Sequence, residues 1–460
     1  MDVLDLTRLQ FAVVTIYHYL FVPLSISLAA TAAGLELAWL RTRADKYRQL
    51  TRFVGGLLIV TFAVGVVTGL VQEFQFGLGW SAFARFYGDV FGPTLAIEGM
   101  LAFFLEATFL ALWYFGWDRL PRAAHAATIV VVAAGTVLSA FIILAGNSFL
   151  QNPVAYALDP ATGRARLSSF TALLGNEVNL AAFPHTLAGA AMAGGALLLA
   201  IGAWRVRAGA EAAFGTLARL GAWMTAVGGA LTALTGDHLG KVITGVQPMK
   251  MAAAEALYST TTGAPFSVFA LGGGGDGRPF FSIEVPYLLS ILAKGSPGAT
   301  VSGIDDLQAQ YAAQFGPGSY VPMVPVAFWS FRLMIGAGML AAALAAAYLW
   351  TGRRGRTPHR LLLRALPVIP LLPAAANTFG WIFTETARQP WLAFGISKVA
   401  DGLSPGLTRA EVLASLLGFT AVYGVLAVVW LRLVRRLARR PLDATPAQAD
   451  ASALELAPVY

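Results

Sequence analysis

Two histidines, a methionine and two glutamates stand inside long apolar stretches of this 460-residue chain: His18, His185, Met334, Glu98 and Glu385. An ionisable group in such a stretch is costly, which makes each one a functional candidate. Imidazole and thioether are strong axial ligands for low-spin haem iron. His185 is followed at i+3 and i+4 by Ala188 and Gly189, and Met334 by Ala337 and Gly338 at the same offsets. Those positions share a helix face with the residue they follow, so small side chains flank both and leave a slot for a flat macrocycle. Plainer readings stand beside this one. A lone histidine in a span is a hydrogen-bonded packing residue, and a methionine is apolar filler. Ala and Gly let helices pack closely. Glu385 and Arg388, three apart, make an interfacial ion pair. The haem reading rests on the combination, not on any one residue.

The elements that must position these groups are membrane helices. Hydrophobic residues make up 57% of the chain and charged ones 12%, against about 25% charged in soluble domains. Too few charges remain to cover so much apolar surface in water. The absence of cysteine excludes disulfides, Cys-ligated zinc, iron–sulfur clusters, thiol catalysis and c-type haem attachment. Apolar stretches of spanning length fall near 11–33, 52–74, 94–116, 125–147, 178–204, 217–238, 324–350, 361–385 and 411–434. The expected fold is an all-α, polytopic bundle of nine transmembrane helices. Pro367, Pro370 and Pro373 should bend the eighth. Met1–Gln10, with Asp2, Asp5 and a lone Arg8, lacks a signal peptide's basic start, so the first span is read as retained.

Most of the 32 Lys and Arg fall in the loops after spans 1, 3, 5 and 7 and after span 9. The positive-inside rule makes that side cytoplasmic, with the N-terminus outside, the C-terminus inside and no case for nucleic acid as partner. All five candidate residues then lie toward the outer face. The chain divides into 1–238 (spans 1–6), an outer loop over 239–323, 324–440 (spans 7–9) and an Ala/Pro/Asp-rich tail, 441–460, read as disordered. The loop shows no sustained period and one short helix around Met249–Tyr258. Its Gly272–Gly277 run matches GxGxxG but reads as a turn. His125 and His359 read as solvated groups on the basic side, and Gly236-Asp237-His238 as a cap or turn.

In their order and placement these residues resemble subunit I of the cytochrome bd quinol oxidases over nearly the whole chain. The resemblance is carried by Tyr17-His18-Tyr19-Leu20-Phe21-Val22-Pro23-Leu24, Glu98-Gly99 with Glu106, Ser139, Asn147 and Gln151-Asn152-Pro153. Phe183-Pro184-His185, the run from Gln247 to Glu255, Phe331-Arg332-Leu333-Met334, Gly380-Trp381, Glu385 and Arg388-Gln389-Pro390-Trp391 complete it. It implies His185 and Met334 as ligands of a low-spin haem b, His18 as ligand of haem d (or of haem b in its place), and Glu385 as ligand of a high-spin haem b. Glu98 becomes a further ligand or proton donor there, and Trp381 an aromatic between the haems. Arg332 and Arg388 become partners of propionates or of the iron-bound site, and Lys250 and Glu255 the quinol-binding pair. Two departures are Ala387, where the family has Gly, and a short quinol loop, which removes any contact made by the insert of long-loop members.

The implied activity is quinol oxidation coupled to four-electron reduction of O2 to water in a bacterial cytoplasmic membrane. The implied partners are quinol, O2, a second large membrane subunit, a small single-span accessory and the lipid bilayer. With Lys250 and Glu255 outside, quinol protons leave outside: Glu255 is suited to accept one and Lys250 to hold a quinone oxygen. Protons for water come from the cytoplasm. Glu106 lies eight residues deeper than Glu98, about 12 Å along a helix, and Ser139 on span 4 is a candidate polar neighbour. Glu106, Ser139 and Glu98 then form a relay, and separated release and uptake generate a proton motive force without a separate pump. The plainer reading of Glu106 and Ser139 is a static interhelical hydrogen bond. Two other functions share part of the pattern: a cofactor-free secondary transporter, and a haem-binding sensor or electron carrier, which needs the His/Met pair but not Glu98, Glu106 and Glu385.

Overall fold

The computed structural model describes residues 1–209, 212–272, 278–353 and 360–442. Arg354, Arg356, His359, 273–277 of the glycine-rich run and 443–460 of the tail lie outside these. Eight described helices are long and apolar enough to cross a membrane: Val3–Thr42, Asp45–Leu78, Ser81–Phe115, Arg122–Gln151, Glu177–Arg207, Ala212–Val246, Val324–Thr351 and Arg409–Arg439. Leu362–Val368 and Leu371–Thr386, bent by 47°, form a ninth if counted as one span. The bend falls at the expected prolines, which cannot donate to the helix ladder. The fold is therefore a polytopic all-α bundle. Short two-stranded pieces decorate its loops.

Several boundaries differ from the hydropathy reading. The first span runs through a turn at Leu20-Phe21 and is 40 residues long. The sixth continues to Val246, so Gly236, Asp237 and His238 are helical, not a cap or turn. Lys241 Nζ donates to Asp237 Oδ2 at 2.5 Å across one helical turn. The third span contains a π-helical segment, Glu98–Phe103, a wide turn that no hydropathy window detects and that is frequent at functional sites.

Helix ends are capped by their own sequence. Asn176 Oδ1 accepts from Val178 N ahead of the fifth span, and Thr408 with Glu411 makes a capping box for the last. The basic loops gather at one end of the bundle. Arg205 Nη1 donates to the Arg439 carbonyl at 3.0 Å, and Arg207 Nη1 to that of Leu363 at 3.4 Å.

The fifth and sixth spans pack closely through small residues. A Cβ on Gly195 would meet Thr225 N at 2.7 Å, and one on Gly202 would meet Ala218 N at 2.6 Å. From the other side, one on Gly221 would meet Leu199 N at 2.4 Å, and one on Gly228 Met192 N at 2.9 Å. Each pair is seven residues apart, so the contacts recur every two turns along one seam. Backbone-to-backbone approach of this kind is how apolar helices associate without a hydrophobic driving force. At the end away from the basic loops the seam holds His185.

Candidate functional site

His185 lies beside the sixth span. Its Nδ1 is 3.1 Å from the Thr232 carbonyl, which can only accept, so Nδ1 carries the proton. Nε2 is left as a bare lone pair with no hydrogen-bond partner among the described residues. His18 repeats the arrangement on the first span. Its Nδ1 is 3.0 Å from Thr68 Oγ1, and that hydroxyl already donates to the carbonyls of Val64 and Gly65. Thr68 therefore accepts from His18, and Nε2 is again the free nitrogen. A histidine that ligates metal is commonly fixed this way, its second nitrogen donating to a protein acceptor.

Each candidate soft ligand rests against a glycine of the next helix. A Cβ on Gly69 would stand 3.1 Å from His18 Cε1, one on Gly236 3.1 Å from His185 Cε1, and one on Gly380 3.1 Å from Met334 Sδ. The eighth span links two of these neighbourhoods, since Asn377 Oδ1 faces Gly189 while Gly380 faces Met334. Of the slot residues expected from sequence, Gly189 thus meets Asn377, and Gly338 has open space around it. Tyr19 joins the two histidine sites: its hydroxyl lies near Thr186 on the fifth span, and its ring meets Trp381 edge-on at 5.1 Å. No three His, Asp or Glu among the described residues are grouped to hold a bare ion. Isolated imidazole and thioether ligands fit a metal whose other ligands come from a macrocycle.

Glu385 sits in a polar chain. Lys250 Nζ donates to Gln151 Oε1 at 2.6 Å, Gln151 Nε2 to Asn147 Oδ1 at 2.9 Å, and Asn147 Nδ2 to Glu385 Oε1 at 3.1 Å. Arg388 donates to the other carboxylate oxygen and to the Leu392 carbonyl. Both Glu385 oxygens are thus engaged within the protein, and the ion pair read from its spacing with Arg388 is present. Gln151 and Asn147 are one turn apart on the fourth span, a spacing that could have marked them as partners.

Lys250 and Glu255 share the short helix Pro248–Glu255, but five residues at 100° each turn them to different sides. Lys250 joins the Glu385 chain and also donates to the Thr384 carbonyl at 3.1 Å. Glu255 Oε2 instead pairs with Arg332 Nη2 at 2.6 Å, while Arg332 Nε donates to the Ser267 carbonyl at 2.8 Å. Glu255 Oε1 is buried without a hydrogen-bond partner. Burial pushes Lys250 down to about 7. It pushes Glu255 up to about 7, against the opposing pull of Arg332.

Ser139 Oγ donates to Glu98 Oε1 at 3.0 Å. It makes no hydrogen bond to Glu106 Oε1, which is buried without a hydrogen-bond partner. Glu106 lies one turn deeper on the same face of the fourth span, where a Cβ on Gly135 would meet its Cγ at 2.9 Å. Sequence reasoning missed Glu73, which lies close enough to Glu98 for the two charges to interact.

His125 is not a solvated group. It is 1% exposed, its Nε2 is 2.8 Å from the Trp113 carbonyl, and its Nδ1 is 2.5 Å from Glu36 Oε1. Trp113 Nε1 donates to Glu36 Oε2 at 2.6 Å. This buried cluster clamps the first, third and fourth spans at the basic end of the bundle. Removing one partner of such a pair costs about 3–5 kcal/mol. Glu36, seven residues before Arg43, gave no signal that distinguished it from an interfacial charge.

Comparison with known proteins gives the family. The family model described as cytochrome bd terminal oxidase subunit I matches residues 6–442. Cytochrome bd ubiquinol oxidase subunit 1 of Bacillus subtilis is 39% identical over 432 residues, 93% of this chain and 92% of that one. Cytochrome bd-II ubiquinol oxidase subunit 1 of Escherichia coli is 33% identical over 498 residues, covering 95% and 96%. The solved bd oxidase from Geobacillus thermodenitrificans superposes with a TM-score of 0.86 at 28% identity, over 95% of this chain and 99% of that one. The chain belongs to the cytochrome bd terminal oxidase subunit I family and is a multi-pass, haem-carrying membrane subunit of a respiratory terminal oxidase.

Proposed function

We propose that this subunit oxidises quinol at the outer face of the bacterial cytoplasmic membrane and supports reduction of O2 to water with protons drawn from the cytoplasm. The N-terminus lies outside and the C-terminus inside, as the basic loops require. The observation that carries the reading is the shared state of His18 and His185. Each commits Nδ1 to the protein, leaves Nε2 without a hydrogen-bond partner and rests its Cε1 against a glycine of the next helix. His185 and Met334 would hold a low-spin haem b, His18 haem d (or haem b in its place), and Glu385 a high-spin haem b, with Glu98 beside them as ligand or proton donor. When bound, these groups supply electron carriage and an iron centre for O2.

The protein's own residues handle protons and orientation. Lys250 spends two N–H donors on Gln151 and Thr384, leaving a third for a quinone oxygen. The orphaned Glu255 Oε1 is the acceptor for a quinol proton, and Arg332 orients it. The outer loop, which follows the sixth helix at 247 and runs to 323, thus carries the quinol site. Glu106 takes protons arriving from the basic side, and Glu98, oriented by Ser139, stands above it. Trp381 and Arg388 hold Tyr19 and Glu385 in place. Release outside and uptake inside move charge across the membrane without a separate pump. A second large subunit and a small single-span accessory complete the assembly.

The reduced-minus-oxidised optical spectrum of the purified complex tests the reading. Low-spin b-type bands are expected with a chlorin-type band for haem d, or with high-spin b-type features and no chlorin-type band where haem b replaces it. Low-spin bands alone would make the subunit an electron carrier, and absent bands a transporter.

Quinol turnover should depend on pH through the loop pair. Glu255 must be ionised to accept a proton, so the rate rises as pH rises through about 7. Lys250 must be protonated to donate, so the rate falls as pH rises through about 7. Glu255→Gln is expected to keep its haem spectrum, lose the acid limb and slow by about 100-fold. Lys250→Met should lose the alkaline limb. Wild-type turnover with both limbs intact would remove the pair from the site.

A further inference from the structure

Two amides of the fourth span, Asn147 and Gln151, stand between a buried ammonium, Lys250, and a carboxylate, Glu385. Their hydrogen bonds can run in only one sense. An ammonium can only donate, so Gln151 presents Oε1 to Lys250, at 2.6 Å. That leaves its Nε2 for Asn147, whose Oδ1 accepts at 2.9 Å. Asn147 then has only Nδ2 for Glu385 Oε1, at 3.1 Å. The carboxylate accepts, and Arg388 holds its other oxygen. Turning over the Gln151 amide would set N–H groups against the ammonium and strand buried donors, which is costly. Turning over the Asn147 amide would set oxygen against oxygen at Glu385.

Lys250 takes its place from the bundle rather than from its own loop. A lysine stem is four flexible carbons, so its acceptors decide where the ammonium stands. One is the Thr384 carbonyl of the eighth span, at 3.1 Å, and the nearer one is the Gln151 amide of the fourth. The Phe383 ring lies 5.5 Å from Nζ. Gln151 is itself 5% exposed, so no water competes for its Oε1.

We propose that Gln151 is a positioning residue of the quinol site: its amide, held in one orientation through Asn147 by Glu385, fixes the Lys250 ammonium where the remaining N–H meets a quinone oxygen. The inference rests on Lys250 as the quinone ligand. Gln151 acts through the lysine. Without it the ammonium keeps one acceptor, the Thr384 carbonyl, and its stem is free to carry it away from the quinone.

Equilibrium dialysis of decylubiquinone against the assembled oxidase, with haem content confirming assembly, reads binding without turnover. Lys250→Met should weaken binding by about 10-fold, the scale for one hydrogen bond from a charged group. Gln151→Met keeps an unbranched side chain of similar size, gives up both hydrogen bonds and should weaken binding by a similar factor. The double variant should bind no more weakly than Lys250→Met alone, because a residue that acts through the lysine has nothing left to act on. Gln151→Glu keeps an acceptor for the ammonium and should bind as the parent does. Should Gln151→Met not assemble, Gln151→Ala takes its place in the same cycle. Parent affinity in Lys250→Met would remove the lysine from the quinol site and the proposal with it. Weak binding there but parent affinity in Gln151→Met would leave the quinol site standing and overturn the proposal alone. Losses that add in the double variant, or equal losses in Gln151→Met and Gln151→Glu, would also overturn it and make Gln151 a packing residue.

Discussion

Replacing His185 with Ala, or Met334 with Leu, is expected to abolish quinol oxidation and remove the low-spin haem bands from the reduced-minus-oxidised spectrum. The two substitutions attack the proposed low-spin haem site from different helices by different means. His185→Ala deletes a nitrogen that the Thr232 carbonyl holds in a single tautomer. Met334→Leu removes a sulfur that rests against Gly380 while nearly conserving volume, a change that apolar packing tolerates. Loss of activity in the second variant therefore reports on ligation, not on folding. An unchanged spectrum in both would contradict the ligand assignment, whatever the activity.

Glu106→Gln should retain the full spectrum and lose about 100-fold in turnover, the usual scale for removing a proton-transferring group. The substitution keeps shape and hydrogen-bonding capacity but cannot carry a proton. It also relieves the cost of a carboxyl whose Oε1 is buried without a partner, so the variant should be no less stable than the parent. Stopped-flow turnover together with charge displacement in liposomes would check this. Native rates in Glu106→Gln would return Glu106 to a packing role against Gly135, with Ser139 and Glu98 left as a static hydrogen bond.

The helices and the residues they carry were legible because hydropathy is a local property. Twenty apolar residues in a row leave no alternative to a span, and prolines at 367, 370 and 373 leave no alternative to a bend. The same locality explains the errors. Hydropathy ended the sixth helix at 238, but polar residues such as Asp237 and Lys241 pair with each other within a turn and let it continue. His125 read as solvated because its neighbours in sequence are a loop, whereas its partner Glu36 is 89 residues away.

Which side chains exist at which depth was therefore set by the chain alone: imidazole, thioether and carboxylate groups toward one face, basic residues at the other. Which of them meet was decided by helix packing. That packing gave Ser139 to Glu98 and not to Glu106, turned Lys250 and Glu255 toward separate partners, and put a glycine against each of His18, His185 and Met334. Such pairings depend on crossing geometry and on contacts between residues far apart in sequence. A one-dimensional pattern specifies the face of a helix, but not what that face will meet.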